Sequence, residues 1–168
     1  MVNNIFLALG SNKGDRLEFI RRAIRKINED DFCKVLKYSS IYETTPYGKI
    51  DQPNFLNAVI EINSDYKIHE LLRFVKELEI IIGRSEVREK WGQREIDVDI
   101  IFYNDLIYTG DKIIIPHPEC LKRDFVMIPL LEIAPGFIYP GMQKKISEFD
   151  LSSLENYIIN KSDFAINI

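Results

Sequence analysis

The run Ile96-Asp97-Val98-Asp99-Ile100-Ile101 alternates apolar and acidic side chains, and Trp91-Gly92-Gln93-Arg94-Glu95 leads into it. A period of two fits a β-strand, whose successive side chains point to opposite faces. Ile96, Val98 and Ile100 then enter a core, while Asp97 and Asp99 share the other face. At about 3.3 Å of rise per residue, the two aspartate Cα atoms stand about 6–7 Å apart. Carboxylates so placed can hold hard cations, and Mg²⁺ in particular keeps waters and shares substrate phosphate oxygens. Just upstream, Arg94 offers a planar fork for phosphate and Trp91 a ring for a base or a cation. Taken alone, Asp-Xaa-Asp is more often the wet face of an antiparallel strand. The rest of the chain shifts the balance.

Upstream, Ile5, Leu7 and Leu9 alternate with Phe6 and Ala8, a buried first strand that ends in the turn-rich Gly10-Ser11-Asn12-Lys13-Gly14-Asp15. That loop lacks the Lys-Ser/Thr pair of a Walker A loop and the spacing of Gly-x-Gly-x-x-Gly, so Asp15 reads as a helix N-cap rather than part of a phosphate cradle. Leu17, Ile20, Ala23, Ile24 and Ile27 mark one face of the helix that follows. A second strand is expected over 35–42. A long loop through Thr44-Thr45-Pro46-Tyr47-Gly48-Lys49-Ile50-Asp51-Gln52-Pro53 leads to a third strand over 55–62. Leu56, Ala58, Ile60 and Ile62 share one face of it, and Phe55, Asn57 and Val59 the other. Phe55 and Asn57 could stack on and hydrogen-bond a flat heterocycle, although a core aromatic beside a turn-facing asparagine is as common.

The spacing of Ile68, Leu71, Leu72, Val75, Leu78 and Ile82 predicts a helix over 65–82, with Gly83 as its stop. Glu79 falls on that apolar stripe and needs a partner there, because an unpaired buried charge is costly. The plain reading is an ion pair to a nearby arginine, and the sharper one is a supporting role beside the site. The charged loop from Gly83 to Lys90, with Arg84 and Arg88, reads either as solvated surface or as a lid that closes on phosphate. After the Asp97/Asp99 strand, 106–108 and 112–115 suggest a hairpin. Pro116-His117-Pro118 holds an imidazole between two restricted residues, and Arg123, Asp124 and Phe125 fall within one short turn or helix. Residues 127–133 read as a short core element, and a helix is expected around 151–159.

The order strand, helix, strand, strand, helix, strand is that of a ferredoxin-like βαββαβ α+β sandwich, here with a C-terminal hairpin and helical extension. Its 168 residues suit a single domain over 1–168. A net charge of −4 argues against broad nucleic-acid binding. No apolar run reaches membrane-spanning length and no signal pattern precedes the first strand, so a cytoplasmic protein away from the membrane is expected. Cys33 and Cys120 form no CxxC pair, which fits free thiols in a reducing compartment. With His69 and His117 as the sole histidines, the chain does not suggest zinc.

The chain resembles the 6-hydroxymethyl-7,8-dihydropterin pyrophosphokinase family of folate biosynthesis over essentially its full length. The resemblance is carried by Gly10-Ser11-Asn12, Asp51-Gln52-Pro53, Phe55-Leu56-Asn57, Gly83-Arg84, the Trp91 to Ile101 block, and Pro116-His117-Pro118 with Arg123 and Phe125. It implies transfer of the β,γ-pyrophosphoryl group of ATP to the pterin hydroxymethyl oxygen, leaving AMP. It implies that Asp97 and Asp99 hold two Mg²⁺ ions and that Arg84 and Arg94 act in catalysis. Leu72, Arg84, Trp91, Arg94, Ile100, Lys112, His117 and Arg123 match the ATP site. Thr44, Pro46, Tyr47, Phe55, Asn57, Asp97 and Phe125 match the pterin site, where two aromatic rings sandwich the bicycle. Glu79 falls on a family glutamate near the site.

The sequence departs from the family at three points. Gln93 stands where a proline is usual, Glu86 where a second arginine is usual (Arg88 is the candidate replacement), and Phe55 where tyrosine is frequent. A monomer acting on small molecules is expected. A ferredoxin-like RNA-binding module would want a basic face and exposed sheet aromatics in an RNP pattern, which the charge and motifs do not provide. A non-catalytic ligand-sensing domain would not need Asp97, Asp99 and the arginine-bearing loop together.

Overall fold

The computed structural model describes residues 3–48, 51–83 and 92–167. In chain order, β1 (Ile5–Ser11) leads to α1 (Arg16–Glu29), β2 (Cys33–Tyr38), β3 (Tyr42–Thr44), β4 (Phe55–Ser64), α2 (Ile68–Ile82) and β5 (Asp97–Tyr103). The short strands β6 (Tyr108–Thr109) and β7 (Ile114–Ile115) form the expected hairpin. Helix α3 (Asp124–Ile133), the ribbon of β8 (Ile138–Tyr139) with β9 (Lys144–Lys145), and β10 (Ile158–Lys161) complete the order.

The main sheet runs β10-β3-β4-β1-β5, with β2 also on β4, and its pairings are antiparallel. With β2 and β3 counted as one interrupted strand, this is the ferredoxin-like arrangement, and β10 adds a strand at one edge. Leu7, Leu9, Ala58, Ile60, Val98 and Ile100 face α1 and α2, whose Ile20, Ile24, Ile27, Leu71 and Val75 are fully buried. The opposite face, with Phe6, Val59 and Ile101, is covered by α3 through Val126, Met127 and Leu130. The sheet therefore carries a core on both sides, except where Asp97 and Asp99 lie.

Local signals place the helices. Asp15 caps α1 by accepting the Glu18 N–H at 3.1 Å, as its position suggests. Helix α2 begins three residues later than expected, because β4 runs on to Ser64 and the Glu70 carboxylate caps the backbone N–H of Lys67 at 2.8 Å. It stops at Gly83, whose φ of 123° is open to glycine and strained for other residues.

Two expectations are corrected. The strand expected over 35–42 is broken at Ser39, whose hydroxyl accepts the Val59 N–H at 3.0 Å while its own N–H bonds the Val59 carbonyl at 2.9 Å. A side chain thus takes a ladder position, and the strand resumes as β3. The helix expected around 151–159 is instead a 3-10 turn, Leu151–Ser153, followed by β10. Asp150 accepts the Ser152 N–H at 2.9 Å and so favours a turn. The Asp124 carboxylate then captures the N–H groups of Tyr157 and Ile158, both at 2.8 Å, and holds that backbone extended.

Cys33 and Cys120 are buried free thiols, as expected, and burial pushes each up to about 11. At pH 8 only about one molecule in a thousand then carries the reactive thiolate at either position. A thiol reagent should therefore label neither cysteine of the native protein within minutes and both on addition of denaturant. Rapid native labelling at pH 8 would contradict this core assignment.

Candidate active site

The site starts from two small residues. Gly10 lies between Asn57 on β4 and Asp97 on β5, and Ala8 lies between Val59 and Asp99. All six share the sheet face turned away from α1 and α2. Without large side chains on central β1, a trough opens between the carboxylates of β5 and the Phe55/Asn57 end of β4. A Cβ added at Gly10 would stand 2.9 Å from the Asn57 Oδ1, so glycine is what lets the asparagine lie there. The Asn57 amide donates to the Thr44 hydroxyl at 2.7 Å, and both residues are buried.

Loops from three parts of the chain close the trough into a cavity of about 340 Å³. Thr44 comes from the end of β3 and Tyr47 from the loop after it, Gly92 and Arg94 from the approach to β5, and His117, Arg123 and Phe125 from the stretch before and into α3. Asn12 ties the near loops together. It donates to the Pro53 carbonyl at 3.1 Å and to Gln52 at 3.2 Å, and exchanges hydrogen bonds with the Arg94 backbone at 2.8 and 3.0 Å. Gly10-Ser11-Asn12 therefore works as a hub for loops, and Phe125 reaches the cavity because α3 folds back over the sheet.

A second cavity, of about 310 Å³, lies along the outer edge of β5 and is lined by Leu72, Ile100, Lys112 and the 110–114 turn. The two cavities share Lys76, Asp99 and His117 as a common wall. Sequence reasoning did not single out Lys76. It lies four residues after Leu72 and three before Glu79, on the same helical face, which is the signal that could have marked it.

Charge is held tightly at this wall. Glu79 is fully buried and accepts the Val98 N–H at 2.7 Å and the Lys76 ammonium at 2.8 Å. Lys76 also donates to the Val98 carbonyl at 2.9 Å and stands 3.9 Å from Asp99. Among the described residues Glu79 thus meets a lysine of its own helix, while Arg84 and Arg88 lie outside them. Burial pushes the Glu79 carboxyl above its ordinary value, opposed chiefly by Lys76.

Asp99 sits deep in the cleft with 35% of its side chain still accessible, and Asp97 is paired with the Arg94 guanidinium. Depth in the cleft, and then the like charge of Asp97, push the Asp99 carboxyl up. Burial holds His117 below its ordinary value, against the pull of Asp99. Its Nδ1 accepts the Glu119 N–H at 3.2 Å, which assigns the proton of the neutral ring to Nε2 and makes that nitrogen a donor.

Of the residues expected in the site, Arg94, Asp97, Asp99, His117, Arg123, Thr44, Tyr47, Phe55, Asn57 and Phe125 line the larger cavity, and Leu72, Ile100 and Lys112 the smaller. Pro46 stands between two lining residues without being one among the described residues. Arg84, Glu86, Arg88 and Trp91 lie outside the described residues, as does all but Gly83 of the loop expected to act as a lid. Among the described residues no group of three or more His, Cys, Asp or Glu side chains is arranged to hold a metal ion. The Asp97/Asp99 pair is the acidic donor set the cleft presents.

A ferredoxin-like sheet with an acidic pair, converging cationic side chains and two adjoining cavities defines a domain suited to transferring a phosphate-bearing group between two small molecules. Residues 6–135 match the family model described as 7,8-dihydro-6-hydroxymethylpterin-pyrophosphokinase (HPPK). The chain is 43% identical over 145 residues to 2-amino-4-hydroxy-6-hydroxymethyldihydropteridine pyrophosphokinase of Aquifex aeolicus, covering 86% of this chain and 89% of that protein. The protein of the same name from Bacillus subtilis is 42% identical over 134 residues, 79% of either chain. A folic acid synthesis protein of Dictyostelium discoideum is 41% identical over 83% of this chain but extends far beyond it, the match covering 21% of that protein. Among solved structures, wild-type Plasmodium falciparum HPPK-DHPS with pteroate superposes with a TM-score of 0.68 over 88% of this chain and 43% of that one. At 14% identity that likeness bears on the fold.

The chain belongs to the 7,8-dihydro-6-hydroxymethylpterin-pyrophosphokinase family. It is an enzyme of folate synthesis, a pyrophosphoryl transferase acting on hydroxymethyldihydropterin.

The trough itself can be tested. Gly10→Ala should push Asn57 off its Thr44 bond and cost about 1–3 kcal/mol through overpacking, read as a lower denaturant midpoint. Gly136→Ala, whose Cβ would meet nothing within 4 Å, is the control and should shift the midpoint little. Equal midpoints for the two variants would contradict the close approach at Gly10.

Proposed function

We propose that the larger cavity takes the pterin, the smaller one takes ATP, and the β,γ-pyrophosphoryl group crosses at their common wall. The observation that carries this is that both cavities share Lys76, Asp99 and His117. The hydroxymethyl oxygen of the pterin attacks the β-phosphorus. The bond from that phosphorus to the bridging oxygen on the α-phosphate breaks, AMP leaves, and the hydroxyl proton passes to solvent water. Such transfer is mostly positioning and electrostatic stabilisation, so no strong general base is assigned.

Asp97 and Asp99 are the proposed ligands of two Mg²⁺ ions. Their fit rests on the donor set: hard carboxylate oxygens on one strand face, opening on a cavity where substrate phosphates complete the coordination. Bound there, Mg²⁺ supplies charge neutralisation for the phosphate oxygens and orientation for the attacking oxygen. Burial first, and then the like charge of Asp97, push Asp99 up; a cation held by these carboxylates would oppose that shift by favouring the charged form. Arg94 and Arg123 donate to the transferred group as its charge redistributes, and His117 donates from Nε2 to a phosphate oxygen. Arg84 and Trp91 join this set on sequence alone. Leu72, Ile100 and Lys112 line the nucleotide side. On the pterin side Phe55 and Phe125 sandwich the bicycle, Asn57 and Thr44 read its polar edge, and Pro46 and Tyr47 close the mouth.

The proposal extends to a monomeric catalytic domain over residues 1–168 working in the cytoplasm without nucleic acid or membrane. Two buried free thiols support a reducing compartment. Among the described residues no helix is long and apolar enough to cross a membrane.

AMP release from ATP should require both Mg²⁺ and hydroxymethyldihydropterin. Asp97→Ala and Asp99→Ala should each abolish most of it while the circular dichroism of the fold persists. A variant that keeps near-normal turnover at moderate Mg²⁺ would remove its aspartate from the mechanism. Phe55→Ala should weaken pterin binding by up to about tenfold, the upper range for one stacked ring. Asn57→Ala should cost about 1–3 kcal/mol of pterin affinity by leaving ring donors unpaired. Separate titrations with pterin and with a non-hydrolysable Mg²⁺–ATP analogue check both, and a loss confined to the nucleotide would overturn the pterin assignment.

A further inference from the structure

The family match ends at residue 135, yet a later segment touches both walls of the larger cavity. The Glu155 N–H bonds the Lys122 carbonyl at 2.9 Å, and the Asp124 carboxylate accepts the N–H groups of Tyr157 and Ile158. On the other side the Thr45 N–H bonds the Tyr157 carbonyl at 2.9 Å, and Ile158 pairs with Thr44 across the sheet edge. Residues 155–158 therefore lace the Lys122–Phe125 stretch to the Thr44–Tyr47 stretch, which are separate in sequence and face one cavity.

The Tyr157 side chain stands between the same two stretches. Its ring lies edge-on to Phe125, centroids 5.5 Å apart at 78°, and tilted against Tyr47 at 5.6 Å and 57°. The Arg123 guanidinium lies 4.5 Å from the centre of the Tyr47 ring and 5.7 Å from that of Phe125. Tyr47, Arg123 and Phe125 line the cavity, and Tyr157 backs them without lining it among the described residues. Edge-on contacts fix the angle of the ring they touch, because an aromatic edge is drawn to an aromatic face. The Tyr157 hydroxyl points away, to the Glu155 carboxylate on the exposed side.

We propose that Tyr157 is a positioning residue for pterin recognition, holding the Phe125 and Tyr47 rings at the separation and angle that a flat bicycle requires. The segment after the family match is thereby part of the substrate site, and Asp124 is the anchor that places it. This rests on the pterin occupying the larger cavity.

The test uses the full chain and three variants, Tyr157→Leu, Tyr157→Phe and Phe55→Ala, each titrated with hydroxymethyldihydropterin and separately with a non-hydrolysable Mg²⁺–ATP analogue. Tyr157 is only half-buried, so leucine there opens no hole in either core. Tyr157→Leu should raise the pterin Kd and KM by about three- to tenfold, the range for leaving one side chain of the site to be ordered by the ligand. Its kcat at saturating pterin and its nucleotide Kd should stay within about twofold of the parent, a split that general loosening of the fold would not give. Tyr157→Phe should bind pterin like the parent, because the ring acts and the hydroxyl does not. An unchanged pterin Kd in Tyr157→Leu, an equal loss of both ligands, or a loss in Tyr157→Phe matching that in Tyr157→Leu would each overturn the proposal. Phe55→Ala separates the two readings. If it leaves pterin binding intact, the placement of pterin fails and takes the role of Tyr157 with it. If it weakens pterin while Tyr157→Leu does not, only the positioning role falls.

Discussion

The geometry of the cleft depends on how α2 grips the open edge of β5. An edge strand turns alternate N–H and C=O groups away from its neighbour, and Val98 presents both toward α2. Glu79 takes the N–H and Lys76 the carbonyl, while the two side chains also pair with each other. A buried carboxylate would be costly alone, but here it accepts charge-assisted bonds, each of which contributes about 1.5–3 kcal/mol. The grip acts on the one residue that separates Asp97 from Asp99. With Val98 held into the helical side of the sheet, the period of the strand turns both carboxylates to the other face. A residue whose burial looks purely structural thus governs where the acidic pair stands.

The two faces of the sheet divide the labour. On the α1/α2 side, aliphatic side chains from three strands and two helices pack without a break and hold the strands in register. On the other side the core is interrupted where Ala8 and Gly10 leave room, and the loops above that gap are braced rather than packed. Asn12 joins the loop before β4 to the approach to β5, and Asp124 ties the C-terminal segment to the Arg123–Phe125 turn. Braces made of a few buried hydrogen bonds hold side chains in place while leaving space for ligands, which a filled core cannot do.

Sequence periodicity told most about the elements that stand on local rules. The alternation of Ile96, Val98 and Ile100 against Asp97 and Asp99, the helical stripes of α1 and α2, the Asp15 cap and the Gly83 stop all appear as read, since each depends on residues within a turn or two. What was missed depends on partners far along the chain. The break at Ser39 exists because its hydroxyl meets Val59, and the tail is a strand because Asp124 captures its N–H groups from more than thirty positions away. The cavity-lining residues were legible mainly through the short motifs that carry the family resemblance, since a lone Leu72 or Lys112 signals nothing by its residue type. Lys76 was not, because a lysine on an amphipathic helix looks like any solvated side chain until the edge of β5 lies beneath it. Tyr157 stayed hidden for the same reason, as its meaning comes from Tyr47 and Phe125.

If the grip on Val98 sets the acidic pair, loosening it should be felt first at the Mg²⁺ site proposed there. The most direct measurement is the Mg²⁺ concentration that gives half-maximal AMP release in Glu79→Ala compared with the parent chain, at saturating ATP and pterin. Loss of outer support for a metal site typically weakens metal affinity by about 10–100-fold, and Glu79 supports the strand between the two carboxylates, so a rise of at least about tenfold is predicted. A folded Glu79→Ala enzyme with an unchanged Mg²⁺ requirement would contradict the account.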